Sequence, residues 1–161
     1  MQQPAEKDVN HRKLAIGFNQ RTWALMDNKL RSAEEAEEMI MSAYASLAHW
    51  LKAGTGVNHH RGEWLIARAY AELGRVEPAL HHLHRTEILT ETHRAESQDF
   101  DFAFLEALAA RVLALANNHE QAARRYARAV ALGEAIVNAE DRKGFFEQLA
   151  EEPWFGLQRG S

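Results

Sequence analysis

Two helical patterns meet at a single glycine, Gly74, near the middle of the 161-residue chain. Apolar residues recur at helical spacing on both sides of it: Ile66, Ala67, Tyr70 and Leu73 before it, and Ala79 and Leu83 after it. Pro78 falls in the first turn of the second pattern, where the missing N–H of proline costs nothing. Because the break is so short, we expect two antiparallel helices whose inner faces pack together, with Tyr70 meeting Leu83 across the bend.

Helical signals cover the rest of the chain as well. Only 9 glycines and 3 prolines interrupt it, and no strand pattern is found. Ser32 and Glu35 form the pattern of a capping box, and Gly54 is placed to end that helix in a left-handed conformation. Further N-caps are expected at Asn58, Asn118 and Asp141. These signals predict a single all-α domain over residues 1–161, with three antiparallel helical hairpins at residues 6–53, 58–94 and 100–138 and a cap helix with a tail at 141–157.

Two segments are more apolar than one buried face requires. The fifth helix carries large side chains on two faces, which predicts a central position between other helices. The tail contains Trp154 and Phe155, which we expect to fold over Phe145 and Phe146 and cover the open end of the helices. If the tail stays exposed instead, its apolar patch favours a homodimer.

Small and aromatic residues hold fixed positions around Gly74, namely Ala67, Tyr70, Ala79 and Leu83. This arrangement resembles a tetratricopeptide repeat (TPR), and the resemblance implies a short TPR-like right-handed array of stacked hairpins. The third hairpin resembles a degenerate copy, with Asn117 in place of the turn glycine and the other positions held by Ala110, Leu113, Ala122, Tyr126 and Ala129. The interval from Ala67 to Ala110 is 43 residues, whereas the family's unit has about 34, so an irregular helical bundle is the alternative.

The resemblance also implies where a partner binds. In the family, one face of the first helix of each hairpin lines the inner surface, and the matching positions here include Arg61, Trp64, Arg68, Phe104 and Arg111. Arginine binds carboxylates through paired N–H groups, and a tryptophan covers an apolar side chain. We therefore expect a protein or peptide partner bearing carboxylates on these five residues. The alternative is that Trp64 packs against the neighbouring hairpin while the arginines extend to water.

A histidine-rich stretch of the fourth helix gives a second hypothesis. Glu77, His81 and His84 fall on one helical face, and two imidazoles with a carboxylate suit zinc or iron. A metal- or small-ligand-binding protein is therefore the alternative function. The repeat alignment buries Ala79 and Leu83, however, which turns this face outward and favours a solvated surface. We expect no metal and no other cofactor.

Composition narrows the function classes. The net charge of −4 gives no reason to expect nucleic acid as a partner, and the N-terminal sequence lacks the apolar core of a signal peptide. The chain has no cysteine, which excludes thiol catalysis and thiolate metal sites. No metalloprotease, phosphate-loop, dinucleotide-binding or nucleophile-elbow motif occurs. We therefore predict a non-catalytic, cytoplasmic protein-interaction module that binds neither nucleic acid nor a membrane.

Overall fold

The computed structural model describes residues 9–160, and within them the chain is all-helical, so the prediction of an all-α fold is confirmed. These residues form no strand and seven α-helices: α1 (His11–Asp27), α2 (Ala33–Ala53), α3 (Gly56–Glu72), α4 (Val76–Thr92), α5 (Asp99–Leu115), α6 (His119–Glu134) and α7 (Ala139–Ala150). A short 3₁₀ turn at Arg94–Glu96 lies between α4 and α5. None of the described helices combines the length and the hydrophobicity needed to cross a membrane.

Contacts between the helices place α3 and α5 at the centre. Each of α1, α3 and α5 contacts the helix that follows it, and α3 also contacts α1 and α5. α2 contacts α3 and α4 contacts α5, so neighbouring pairs of helices are joined. The prediction that the fifth helix is covered on more than one side is confirmed, because α5 contacts α3, α4, α6 and α7.

The turns after α3 and α5 are alike. Gly74 has a φ of 68° and Asn117 a φ of 61°, the left-handed conformation that glycine and asparagine adopt most readily. In both turns the next N–H returns to a carbonyl five positions back, at 3.0 Å after Gly74 and 2.8 Å after Asn117. This is the Schellman pattern, which satisfies carbonyl groups at a helix end. Close by, Tyr70 packs against the buried cluster that contains Leu83, as the sequence predicts.

Several helix ends agree with the sequence signals. The capping box is present, with Glu35 N donating to Ser32 Oγ at 3.1 Å and Ser32 N donating to the Glu35 carboxylate at 2.9 Å. Asn118 caps α6 as expected. α1 begins at His11, where the side chain of Asn10 caps it, and the predicted start near residue 6 lies outside the described residues.

Three predicted helix caps are wrong. Gly54 is extended rather than left-handed, with φ −105° and ψ −174°, because α3 begins only two residues later. A Cβ on Gly54 would lie 2.8 Å from the Cβ of Asn58, so glycine is needed there for close approach. Thr55 rather than Asn58 precedes α3, and the Asn58 side chain accepts from Thr55 N at 3.0 Å. Asn138 rather than Asp141 caps α7, since Asn138 lies just outside the helix and accepts from Asp141 N.

α7 and the tail cover the C-terminal end of the molecule. α6 ends at Glu134 rather than at residue 138, and the absence of a side chain at Gly133 lets Phe145 pack directly on this helix. Trp154 is only 2% exposed and belongs to the same buried cluster as Phe145, with Phe146 packed against it. The prediction that the tail folds back is confirmed, so Trp154 is not part of an exposed patch that would favour a homodimer.

Candidate functional site

The five residues predicted to bind a partner line two adjoining cavities, which we call the groove. The larger cavity has a volume of about 160 Å³ and includes Arg61 in its lining. The smaller, of about 20 Å³, is lined in part by Arg68 and Arg111. Four lining residues, one from each of α1, α3, α5 and α7, are common to both: Trp23, Trp64, Phe104 and Gln148.

Trp64 both packs against its neighbours and faces the groove. Its ring centroid lies 6.0 Å from that of Trp23 and 5.9 Å from that of Phe104, the latter pair edge to face. Trp64 Nε1 donates to Phe104 O at 3.0 Å, which fixes the orientation of the indole. The groove thus has a rigid aromatic wall that does not need a partner to form.

Arg61 lies at the exposed edge of the larger cavity and is paired within the chain. Its Nε and Nη2 donate to the two carboxylate oxygens of Asp101, at 2.8 Å each. The guanidinium carbon lies 5.0 Å from the centroid of the Phe100 ring. The Arg61 side chain is 42% exposed and that of Asp101 is 5% exposed. The paired N–H groups predicted for a partner's carboxylate are therefore already occupied.

Arg68 is also paired internally. It is buried, and its Nη1 donates to Glu72 Oε2 at 2.9 Å. Lys29 and Arg31 donate to the other oxygen, Glu72 Oε1, at 2.6 and 3.1 Å. Burial acts to raise the pKa of Glu72, but the hydrogen bonds and charges of Lys29 and Arg68 outweigh burial and hold this pKa below its usual value. Glu72 is therefore ionised at pH 7 and forms an ion pair with Arg68.

Arg111 is a buried cation that has no carboxylate partner among the described residues. Its Nη1 donates to the backbone carbonyls of Glu151 and Pro153, at 3.1 and 2.6 Å. Its guanidinium carbon lies 4.0 Å from the centroid of the Trp154 ring. Burial, followed by the charge of Arg68, lowers the pKa of Arg111 to about 9, which leaves it protonated at pH 7. Arg111 thus fastens the tail to α5 while it lines the smaller cavity.

Besides Asp101, three buried polar residues line the larger cavity and form its inner wall: His60, Thr86 and Thr90. His60 Nε2 lies 3.0 Å from Ser97 Oγ, and Ser97 Oγ donates to His93 O at 2.9 Å. Because a hydroxyl has a single proton and the carbonyl takes it, His60 Nε2 is the donor to Ser97. Burial holds the pKa of His60 below its usual value, so the ring is neutral at pH 7 and Nδ1 is an acceptor.

Three lining residues carry little sequence signal. His60 lies four positions before Trp64 and so on the same helical face, which is the one pattern that indicates it. Trp23 and Gln148 belong to α1 and α7, and helical spacing within one element does not indicate contact with α3. Their place in the groove follows only from how the helices pack.

The histidines of α4 divide between two environments. Glu77, His81 and His84 are exposed, and in the described part of the chain no three His, Asp or Glu side chains are arranged to hold a metal ion. The structure does not bring the alternative metal ligands together. His82 is buried instead, with Nδ1 2.5 Å from Glu63 Oε2. Helical spacing gave no signal for this pair, because Glu63 and His82 are polar residues on buried faces.

The groove is a preformed concavity with aromatic walls and internally satisfied charges. Its larger cavity is lined by four aromatic side chains, Trp23, Trp64, Phe100 and Phe104. Mostly apolar concavities with a few placed polar groups are the usual form of binding sites. No protein-family model, curated protein or solved structure matches this chain.

Proposed function

We propose that this protein is a non-catalytic interaction module that binds a peptide segment of a partner protein in the groove. The main support is that all five residues singled out by helical spacing and repeat resemblance line the two adjoining cavities: Arg61, Trp64, Arg68, Phe104 and Arg111. Side chains from four helices converge there, and a site built on packed helices is held more firmly than one built on loops.

The repeat architecture is part of the proposal. We propose that α1–α2, α3–α4 and α5–α6 are three stacked hairpins of a TPR-like right-handed array, capped by α7 and the tail. In support, the turns at Gly74 and Asn117 share one backbone conformation at a 43-residue interval. The contacts of α3 with both α1 and α5 also fit an array, because the first helices of successive hairpins then line one surface.

The size of the larger cavity favours an inserted side chain over a free small molecule. Small-molecule sites usually enclose ~300–1,000 Å³, whereas this cavity has about 160 Å³. A peptide can place one side chain in such a cavity and make its other contacts along the groove. Binding energy in interfaces of this kind is concentrated in one or two anchor residues.

The polar groups of the groove favour binding over catalysis. His60 and Ser97 are adjacent, as a base and its nucleophile would be. A base that activates a serine must accept the hydroxyl proton, however, and here Ser97 donates that proton to His93 O while it accepts from His60. The pair therefore has the polarity of a structural hydrogen bond.

The internal pairing of the arginines bears on the partner's chemistry. Arg61 is bonded to Asp101, Arg68 to Glu72, and Arg111 to backbone carbonyls. We therefore propose an apolar anchor as the main determinant of binding. A carboxylate on the partner stays a prediction, with its effect expected at the exposed edge near Arg61 and mainly on the association rate.

Selection from a library of random displayed peptides on the full chain tests the proposal. Gln148 lines both cavities, so Gln148→Trp should fill the groove. We expect the wild-type chain to enrich a common motif and Gln148→Trp to weaken the enriched peptides at least about tenfold, because the anchor loses its cavity.

The matched control is Glu147→Trp, which adds the same side chain at the exposed neighbouring position outside the groove. Its affinity for the enriched peptides should equal that of the wild type, and both variants should keep the wild-type circular dichroism spectrum. Enriched peptides that bind Gln148→Trp as tightly as wild type, or a selection that enriches no motif, would reject the groove as the binding site.

A further inference from the structure

The larger cavity has the volume of one six-membered ring. It measures about 160 Å³, and a dry protein cavity of ~150 Å³ is known to hold one benzene molecule. Its aromatic lining gives an entering ring both faces and edges to pack against. The cavity therefore suits the ring of one aromatic side chain.

The inner wall offers hydrogen-bond acceptors to that ring. His60 Nε2 is committed as a donor to Ser97, which leaves Nδ1 with its lone pair. The Thr86 hydroxyl donates to His82 O at 2.7 Å, so only its lone pairs are left for a ligand. Thr90, which is 2% exposed, adds a second hydroxyl to the lining. A ring that carries a donor thus gains a hydrogen bond that a hydrocarbon ring cannot make.

The charges of the groove disfavour a cation in this cavity. Arg61 already balances the Asp101 carboxylate through both oxygens. Arg68 and Arg111 line the adjoining cavity, and Arg111 is bonded to carbonyl groups rather than to a carboxylate. A lysine ammonium would find no unpaired carboxylate in the lining of the larger cavity, whose one acidic residue, Asp101, is bonded to Arg61, and it would lie near the unpaired charge of Arg111 in the adjoining cavity. A neutral donor such as a phenol O–H avoids this repulsion.

We infer that the larger cavity binds the phenol ring of a tyrosine side chain, with the ring beside Trp64 and Phe104 and the tyrosine O–H donating to His60 Nδ1. The inference rests on the proposed function in one respect, which is that the tyrosine belongs to the bound peptide. The chemistry of the cavity is independent of the peptide and is measurable with free side-chain analogues.

The test uses p-cresol, toluene and n-butylamine, the side-chain analogues of tyrosine, phenylalanine and lysine, each titrated into the full chain. Binding is followed through the Trp64 indole N–H signal in ¹H–¹⁵N NMR spectra. A cavity without an acceptor prefers toluene, because the phenol O–H loses its water on entry. With the acceptor present, we expect p-cresol to bind about fivefold more tightly than toluene. Butylamine should bind more weakly than either.

Two variants assign the effect to particular atoms. His60→Phe keeps a flat ring at this position but removes both ring nitrogens, and with them the acceptor lone pair of Nδ1. It should abolish the preference for p-cresol while toluene binds as in the wild type. Gln148→Trp should exclude both ligands, and Glu147→Trp should exclude neither.

Three wild-type results would overturn the inference: toluene binding as tightly as p-cresol, butylamine binding most tightly, or no binding of p-cresol. Since these measurements need no variant, a substitution that fails to fold does not affect them. If p-cresol binds as expected but no selected peptide is sensitive to Gln148→Trp, the proposed peptide-binding function fails and the ligand chemistry of the cavity stands.

Discussion

The Tyr44 hydroxyl lies 2.6 Å from His82 Nε2, and the other ring nitrogen of His82 lies 2.5 Å from the buried carboxylate of Glu63. In the neutral ring one nitrogen donates and the other accepts, so with Nδ1 donating to the carboxylate Nε2 accepts the proton of Tyr44. Burial raises the pKa of Tyr44, which keeps its hydroxyl protonated as the donor. The hydrogen bonds run from α2 through α4 to α3 and so tie three helices together.

Glu63 should make the stability of the fold depend on pH. Burial acts to raise the pKa of Glu63, but hydrogen bonds from His82 and Arg85 outweigh burial and hold this pKa below its usual value. A carboxyl group with a depressed pKa stabilises the folded chain above its unfolded pKa, and this contribution is lost as the pH falls through the folded pKa. We expect the free energy of unfolding, measured by urea denaturation, to decline below about pH 4.5.

The variant Glu63→Gln should cost about 2 kcal/mol at pH 7, because charged hydrogen bonds are lost in a buried site. It should also flatten the decline at acid pH. Glu91→Gln is the control, since the exposed pair of Glu91 and Arg94 contributes little. An acid decline that Glu63→Gln leaves unchanged would show that other carboxylates cause it.

Alanine at Gly74 should destabilise the chain by about 1 kcal/mol, because side chains disfavour the left-handed conformation. No atom lies within 4 Å of a Cβ built at Gly74, so the loss is conformational. Gly17 in α1 has equally open space but a helical backbone, and Gly17→Ala should stabilise the chain by about 0.5–1 kcal/mol. Measured by urea denaturation, the free energy of unfolding should fall in Gly74→Ala and rise in Gly17→Ala. Changes of the same sign would contradict the role assigned to the left-handed backbone at Gly74.

The contact between Gly133 and Phe145 predicts a larger loss. A Cβ on Gly133 would lie 2.2 Å from Phe145 Cε1, and this ring is fully buried. Gly133→Ala should therefore lower the free energy of unfolding by about 1–3 kcal/mol through overpacking. Gly144→Ala, on α7 with no atom within 4 Å, serves as the control and should not destabilise. Equal stability of the two variants would mean that α7 shifts away at no cost.

Arg111→Lys should loosen the tail. Lysine keeps the charge, but it lacks the flat guanidinium that lies on Trp154 while donating to the carbonyls of Glu151 and Pro153. We expect a loss of about 1 kcal/mol in unfolding free energy and faster proteolysis within residues 151–160. Arg128→Lys, at an exposed position, should change neither quantity. If Arg111→Lys is cleaved at the wild-type rate, Trp154 rather than Arg111 holds the tail in place.

Local signals predicted the helix ends that depend on a single turn. The capping box at Ser32 and the position of the turn at Gly74 involve only residues a few positions apart, so the sequence suffices to identify them. The conformation of Gly54 depends on where α3 begins, which is decided by the packing of α2 against α3. The sequence of one helix therefore does not determine the conformation of Gly54.

The same distinction between local signals and packing between helices applies to the candidate site. The resemblance to a tetratricopeptide repeat placed Trp64 and Phe104 on an inner surface, and both residues line the groove. The partners of the arginines could not be predicted, because Asp101 lies 40 positions from Arg61 and only the contact of α3 with α5 brings them together. The inward direction of His60 was missed because a polar residue on a buried face carries no hydrophobic signal.

Glu72 links two parts of the chain through one carboxylate. Its oxygens accept from Lys29 and Arg31 in the α1–α2 connection and from Arg68 in α3. The same ion pairs join the end of α1, the helix that carries Trp23, to α3, the helix that carries Trp64. Under the proposed function, substitutions at Lys29 or Arg31 should change the width of the groove without replacing any residue that lines it.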